Sequence, residues 1–262
     1  MKAEVILVIE ANDLYVMLTK IKREHSGKSE NKKEYKCPDC EDTGFCSRID
    51  ENGCEVYSRC KCYEIKTVRE KMQRSGISEE FQKKTFANFN TKGNSQLANA
   101  KTKAMRYVQD FEKTEHERYN SIMFSGQVGA GKTHLGTAIC GALMNKSNGV
   151  TVIYMPYRNA MTKIKQNIID EEAYNKELSQ YISARVLYID DFLKGRLTEA
   201  DINIMYEIVN YRYMNNLPII ISTEKAPNEL LLFDEAIGSR LIEMCRGNII
   251  QLQGKELNYR LS

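Results

Sequence analysis

Between Ser121 and Thr133 the chain reads SIMFSGQVGAGKT. The apolar run Ile122-Met123-Phe124 leads into Gly126, then Gln127, Val128, Gly129 and Ala130, then Gly131-Lys132-Thr133. Past His134, the residues Leu135, Ile139 and Leu143 recur at helical spacing. Strand, glycine loop and helix in that order suit the binding of phosphate. The glycines let successive backbone N–H groups curl around a β- and γ-phosphate, where side chains would obstruct them. Lys132 then neutralises phosphate charge, and the Thr133 hydroxyl ligates Mg²⁺ at the positive end of the helix. Residues Gly126 to His134 are therefore expected to hold a nucleoside triphosphate such as ATP.

A second constellation lies downstream. The apolar run Val186-Leu187-Tyr188-Ile189 ends in Asp190-Asp191. An acid at the carboxyl end of a parallel strand sits at the edge where such sheets bind ligands. Asp190 is expected to hold Mg²⁺ through water and Asp191 to polarise the attacking water, on a strand neighbouring that of the phosphate loop. A further strand, Pro218 to Ser222, runs into Thr223-Glu224, and a polar group there would sit between the carboxylates and the γ-phosphate. Gly238-Ser239-Arg240-Leu241 places an arginine after a helix. It is either a surface residue or a group that stabilises transition-state charge in a neighbouring subunit.

Six of the eight cysteines fall between Cys37 and Cys62. Two pairs, Cys37/Cys40 and Cys60/Cys62, flank an insert of hairpin length, Phe45 to Arg59. Soft thiolates in a set of four suit a closed tetrahedral Zn²⁺ site, with Cys46 or Cys54 as alternative ligands. So small a hairpin needs its metal to fold.

The elements that must position these residues follow from periodicity. Strands at 122–124, 150–154, 186–189, 218–222 and 248–252 alternate with helices at 97–117, 157–177, 202–215 and 230–244. That alternation predicts an α/β domain with a five-stranded parallel sheet covered on both faces. Upstream, apolar positions at Leu14, Met17, Leu18 and Ile21 predict a helix within 12–24, and Tyr63 to Ser75 predicts another, stopped by Gly76. Phe81, Phe86 and Phe89 stand in a polar stretch and are expected to pack on the core as a strap. The organisation read from this is 1–76 as an N-terminal helix and zinc module, 77–96 as the strap and 97–262 as the nucleotide domain. The +3 net charge of the 262 residues is weak evidence for nucleic acid. The run Val5 to Ile9 is too short for a signal or membrane segment, so a cytoplasmic protein with thiol or metal-bound cysteines is expected.

Taken as a set, CPDC with RCKCY, GQVGAGKTHL, VLYIDDF, NYRY before PIIISTE, and GSRLIEM with a terminal LNYRL resemble the AAA+ ATPases of the DnaC and DnaI type. These are bacterial and phage loaders of the replicative helicase, and the IstB transposition ATPases are close relatives. The resemblance covers 35–261 and is closest to the phage and prophage versions. It implies that Lys132, Thr133, Asp190 and Asp191 form the ATP and Mg²⁺ site. It also implies that Thr223 beside Ser222 is a first sensor, Arg240 an arginine finger and Arg260 a second sensor. Glu224 stands where many loaders have Asn, and Asp191 where many AAA+ members have Glu; the shorter arm implies slow hydrolysis. The implied partners are a hexameric helicase, gripped by the N-terminal region, and single-stranded DNA, with self-association on ATP binding. Candidate DNA contacts are Arg158, Lys163, Lys165, Lys194 and Arg196. A transposition helper acting on duplex DNA and a non-catalytic nucleotide-binding adaptor are the competing readings.

Overall fold

The computed structural model describes residues 35–49, 51, 53–146, 149–254 and 257–259. The helix expected within 12–24 and Arg260 lie outside them. The chain divides into two units, Met1–Ser58 and Arg59–Ser262.

In the first unit a turn opens the cysteine-rich stretch. Asp42 accepts hydrogen bonds from the backbone N–H of Lys36 (3.1 Å) and Cys37 (2.9 Å). Thr43 folds its N–H and hydroxyl back on the Cys40 carbonyl, at 2.9 and 2.6 Å. The turn feeds β1 (Phe45–Ile49), which pairs with β2 (Glu55–Arg59) in a two-stranded sheet.

The second unit begins with α1 (Lys61–Arg74), ended as expected by Gly76 in the left-handed region (φ +84°). After α2 (Glu79–Gln82) and the strap comes α3 (Ser95–Thr114), whose first free N–H groups, those of Gln96 and Leu97, donate to the Asn94 side chain. The five core strands are β3 (Ile122–Gly126), β4 (Val152–Pro156), β5 (Val186–Phe192), β6 (Ile219–Thr223) and β7 (Ile249–Leu252). They form one parallel sheet in the order β4-β5-β6-β3-β7. The acid strand β5 is thus not the neighbour of β3, contrary to the sequence reading. Periodicity finds strands but not their lateral order; here β6 intervenes and brings Ser222 beside Asp190.

Alternation along each strand sorts side chains to two faces. Ile122, Phe124, Val186, Tyr188 and Ile220 share one core with Leu135, Ile139 and Leu143 of α4 (Lys132–Met144) and with Leu97 and Phe111 of α3. Met72 of α1 and Phe89 belong to the same core, and Phe81 and Phe86 pack against it. Lys71 also donates to the Met144 carbonyl (3.2 Å), at the negative end of α4. The other face carries Met123, Leu187, Ile189, Ile219 and Ile221.

Two expected helices on that second face are each two. The 157–177 segment breaks into α5 (Tyr157–Gln166) and α6 (Glu171–Ser183), because Asp170 caps a new start by accepting from Ala173 N (3.0 Å). After α7 (Glu199–Met214), the 230–244 segment breaks into α8 (Pro227–Phe233) and α9 (Glu235–Met244), where Asp234 accepts from Ile237 N (2.8 Å).

Candidate nucleotide site

The glycine loop is held open by contacts that leave no room for side chains. Gly126 has φ +124°, and a Cβ there would strike the Leu252 carbonyl oxygen of β7. Gly131, at φ +83°, occupies the N-cap of α4. Lys132 is buried, and its ammonium donates to the carbonyls of Gly126 (2.8 Å) and Gln127 (2.6 Å), bracing the loop from inside. Burial pushes this ammonium's pKa down, opposed first by the Glu224 and then by the Asp191 charge.

Asp190, at the end of β5, is buried and accepts four hydrogen bonds. Thr133 Oγ1 donates at 3.0 Å, Tyr188 at 2.8 Å and Tyr154 at 3.1 Å, and Ser222 makes a short fourth bond. Burial, with the neighbouring carboxylate, pushes both tyrosine pKa values up, so each phenol remains a donor. The sequence reading did not single out the tyrosines, and it named Ser222 only as the neighbour of Thr223 at the sensor position. The available signal was that Tyr188 lies two residues before Asp190, hence on the same strand face, with Tyr154 opposite it in the β4–β5 register. A hydroxyl and a carboxylate converging at the head of α4 are a hard-oxygen pair suited to Mg²⁺. They fit the expected ion, with Thr133 and Asp190 as the groups that would hold it.

Asp191 takes a different course. The β5–β6 register slips between Ile189 and Phe192, and Asp191 has φ +55°, an uncommon conformation for a residue with a side chain. The bulge is pinned by Asp191 N donating to Ser222 Oγ (3.0 Å) and by Thr223 Oγ1 donating to the Phe192 carbonyl (2.8 Å). Asp191 therefore lines the cleft of the glycine loop together with Lys132, Thr133, His134, Lys194 and Glu224. Thr223, expected as the sensor, points to the neighbouring strand instead, and it is Glu224 that reaches the cleft. Lys194 Nζ lies 2.9 Å from Asp191 Oδ2 and 3.2 Å from Glu224 Oε1.

The strap closes the other end of this cleft. His134 Nε2 lies 2.9 Å from the Thr85 carbonyl and 3.0 Å from Asn88 Oδ1, and Phe89 meets the His134 ring edge-on. Tyr259 N donates to the Gly129 carbonyl (3.1 Å), so the 257–259 segment lies against the loop.

Other expected residues are placed elsewhere. Arg240 lies within α9 rather than after a helix, outside its own chain's cleft, with its guanidinium over Tyr206 and Tyr213 and one N–H on the Ala236 carbonyl (2.8 Å). Of the candidate DNA contacts, Arg158 and Arg196 are exposed. Lys163 pairs with Glu177 and Lys165 with Asp201, each at 2.8 Å, and Lys194 belongs to the cleft. Within the stretch 37–62, the Cys37, Cys40, Cys60 and Cys62 sulfurs all lie within 4.8 Å of one another, a group without Cys46 or Cys54. A Zn–S bond of about 2.3 Å puts tetrahedral sulfurs about 3.8 Å apart. The four therefore suit one Zn²⁺.

Glycine loop, acid strand and five-stranded parallel sheet define a P-loop ATPase domain of the AAA+ class. The bacterial DnaA ATPase domain family matches residues 81–246, and the chain belongs to it. It is 37% identical over 235 residues to the phage-like element PBSX protein XkdC of Bacillus subtilis strain 168, spanning 87% of this chain and 86% of XkdC. It is 28% identical over 176 residues to the replicative helicase loader DnaC of Escherichia coli K12, spanning 66% of this chain and 67% of DnaC. The crystal structure of DnaI superimposes with a TM-score of 0.55 at 18% identity, over 68% of this chain and 92% of that one. No described helix is long and apolar enough to cross a membrane.

Proposed function

We propose that the chain is an ATP-dependent loader that binds a replicative helicase and delivers it to single-stranded DNA, with ATP acting more as a switch than as fuel. The observation that carries the ATPase half is the pairing of Thr133 with Asp190 at the head of α4, with Asp191 turned into the same cleft. In this reading the loop N–H groups and Lys132 bind the phosphates, Thr133 and Asp190 hold Mg²⁺, and Asp191 accepts a proton from the attacking water. Mg²⁺ supplies charge neutralisation on the phosphates. Hydrolysis is slow because Asp191 has a short arm and shares its carboxylate with Lys194.

The loader half is supported by the relationship to E. coli DnaC and by XkdC, a phage-element relative along most of its length. In it, the Cys37, Cys40, Cys60 and Cys62 group holds a structural Zn²⁺, and residues 1–76 form the helicase-facing part. The test is co-purification with a hexameric replicative helicase, with and without ATP. Nucleotide-dependent capture is expected. Wild-type chain that hydrolyses ATP but never retains a helicase would leave an ATPase with another client.

A further inference from the structure

The γ-phosphate end of the cleft carries a set of charges, Asp191, Lys194 and Glu224, that the reading above uses only in part. Asp191 and Glu224 both face this space, and two carboxylates alone would repel an incoming phosphate. Lys132 feels both charges, but its ammonium donates to the Gly126 and Gln127 carbonyls and pairs directly with neither acid. Lys194 pairs with both: its ammonium sits 2.9 Å from Asp191 and 3.2 Å from Glu224, bridging the chain after β5 to the end of β6.

The backbone beneath Lys194 is a tight turn, and the side chain beyond it is partly open to solvent. Asp191 and Leu193 both lie in the left-handed region (φ +55° and +60°), and Lys194 N donates to the Asp191 carbonyl (3.1 Å), closing a tight turn. The side chain beyond that turn is 44% exposed. An ammonium on a four-carbon stem can therefore exchange one carboxylate for a phosphate oxygen without moving the loop.

We propose that Lys194 is the group that distinguishes a nucleoside triphosphate from a diphosphate: its ammonium leaves Asp191 for the terminal phosphate while keeping its pairing with Glu224, and it remains on its two acids when the diphosphate is bound. This inference rests on the nucleotide-binding reading above. It gives Glu224, where many loaders have Asn, a reason to be acidic, and it makes release of the Asp191 carboxylate a consequence of triphosphate binding. Lys194 is then a specificity residue of the cleft rather than a DNA contact.

The test compares full-length wild type, Lys194→Met and Lys194→Arg for direct binding of ADP and of a non-hydrolysable ATP analogue, both with Mg²⁺, by titration calorimetry. Methionine keeps the stem and removes the charge. Lys194→Met is expected to lose about tenfold or more in analogue affinity, the scale of one ion pair, while its ADP affinity stays within about twofold; Lys194→Arg should recover most of the loss. Equal losses for both nucleotides, or none for either, would overturn the proposal. So would unchanged analogue affinity combined with faster ATP turnover, which would make Lys194 only a brake on Asp191. Wild type that binds neither nucleotide would bring down the ATPase reading, and this one with it; wild type that binds both but does not discriminate would bring down this one alone.

Discussion

Thr133 Oγ1 donates to Asp190 Oδ1 across 3.0 Å, joining the first turn of α4 to the end of β5 over the intervening strand β6. Ser222 of β6 donates to the same carboxylate oxygen. Three elements far apart in sequence thus converge on one acid, and the predictions follow from which of them is disturbed.

Ser222 supports Asp190 without reaching phosphate. Ser222→Ala should therefore weaken the Mg²⁺-dependent part of nucleotide binding by roughly 10–100-fold, as loss of an outer-shell partner does, and leave binding in EDTA unchanged. A Mg²⁺ titration of nucleotide affinity measures this. Undiminished Mg²⁺ dependence would show that Thr133, Tyr154 and Tyr188 hold Asp190 in place without Ser222.

Asp191 is assigned to the attacking water, so Asp191→Asn should slow single-turnover hydrolysis by about 10²–10⁴-fold while nucleotide still binds. Quenched-flow measurement with helicase and single-stranded DNA present gives the rate. A variant as fast as wild type would favour the adaptor reading, in which the cleft binds but does not catalyse.

Arg240 lies outside its own chain's cleft, so any role in hydrolysis must be in a neighbour. Arg240→Ala should keep nucleotide affinity but lose about 10³-fold or more in turnover. Mixing it with Lys132→Ala should restore part of the activity, since one chain supplies an intact site and the other the arginine. No recovery on mixing, together with a lowered melting temperature, would identify the Arg240–Tyr213 stack as merely structural.

Asp201 links α5 to α7. Its carboxylate accepts from Thr198 N (2.7 Å) and Thr198 Oγ1 (2.6 Å) at the start of α7, and pairs with Lys165 (2.8 Å). Burial works to raise its pKa, but the hydrogen bonds from Lys165 and Thr198 outweigh that and hold it below the usual carboxylate range. A depressed folded-state pKa stabilises above the unfolded value of about 4 and is lost as pH falls through the folded one. Asp201→Asn should thus cost about 1–3 kcal/mol at pH 7, with a gap to wild type that closes below about pH 4. Denaturant melts at the two pH values test this.

The four clustered sulfurs predict one Zn²⁺ per chain by elemental analysis, falling towards zero in Cys40→Ser. Chelation should unfold the 37–62 stretch, seen as faster amide exchange there, while the melting of the nucleotide domain changes little. A full Zn²⁺ complement in Cys40→Ser would move the ligand set to Cys46 or Cys54.

Much of this site is legible in the residues alone. A glycine loop needs its spacing to wrap phosphate, and an acid ending an apolar strand has one sensible place in a parallel sheet. Gly126, Lys132, Thr133 and the Asp190–Asp191 pair are therefore identifiable from the sequence alone. The α5/α6 and α8/α9 breaks were less legible, because Asp170 and Asp234 each interrupt a helix through a local cap inside an otherwise unbroken apolar pattern.

What the linear pattern could not carry was lateral order. Whether β5 or β6 flanks β3 depends on packing across the whole sheet. The order β4-β5-β6-β3 puts Ser222 of β6 on one side of Asp190 and Tyr154 of β4 on the other, and it brings Glu224 at the end of β6 to Lys194 beyond β5. Side-chain chemistry and short spacings are properties of the sequence; the bulge that turns Asp191 into the cleft and Lys194 onto it arises where β5 and β6 pair out of register, and only the folded sheet sets that register.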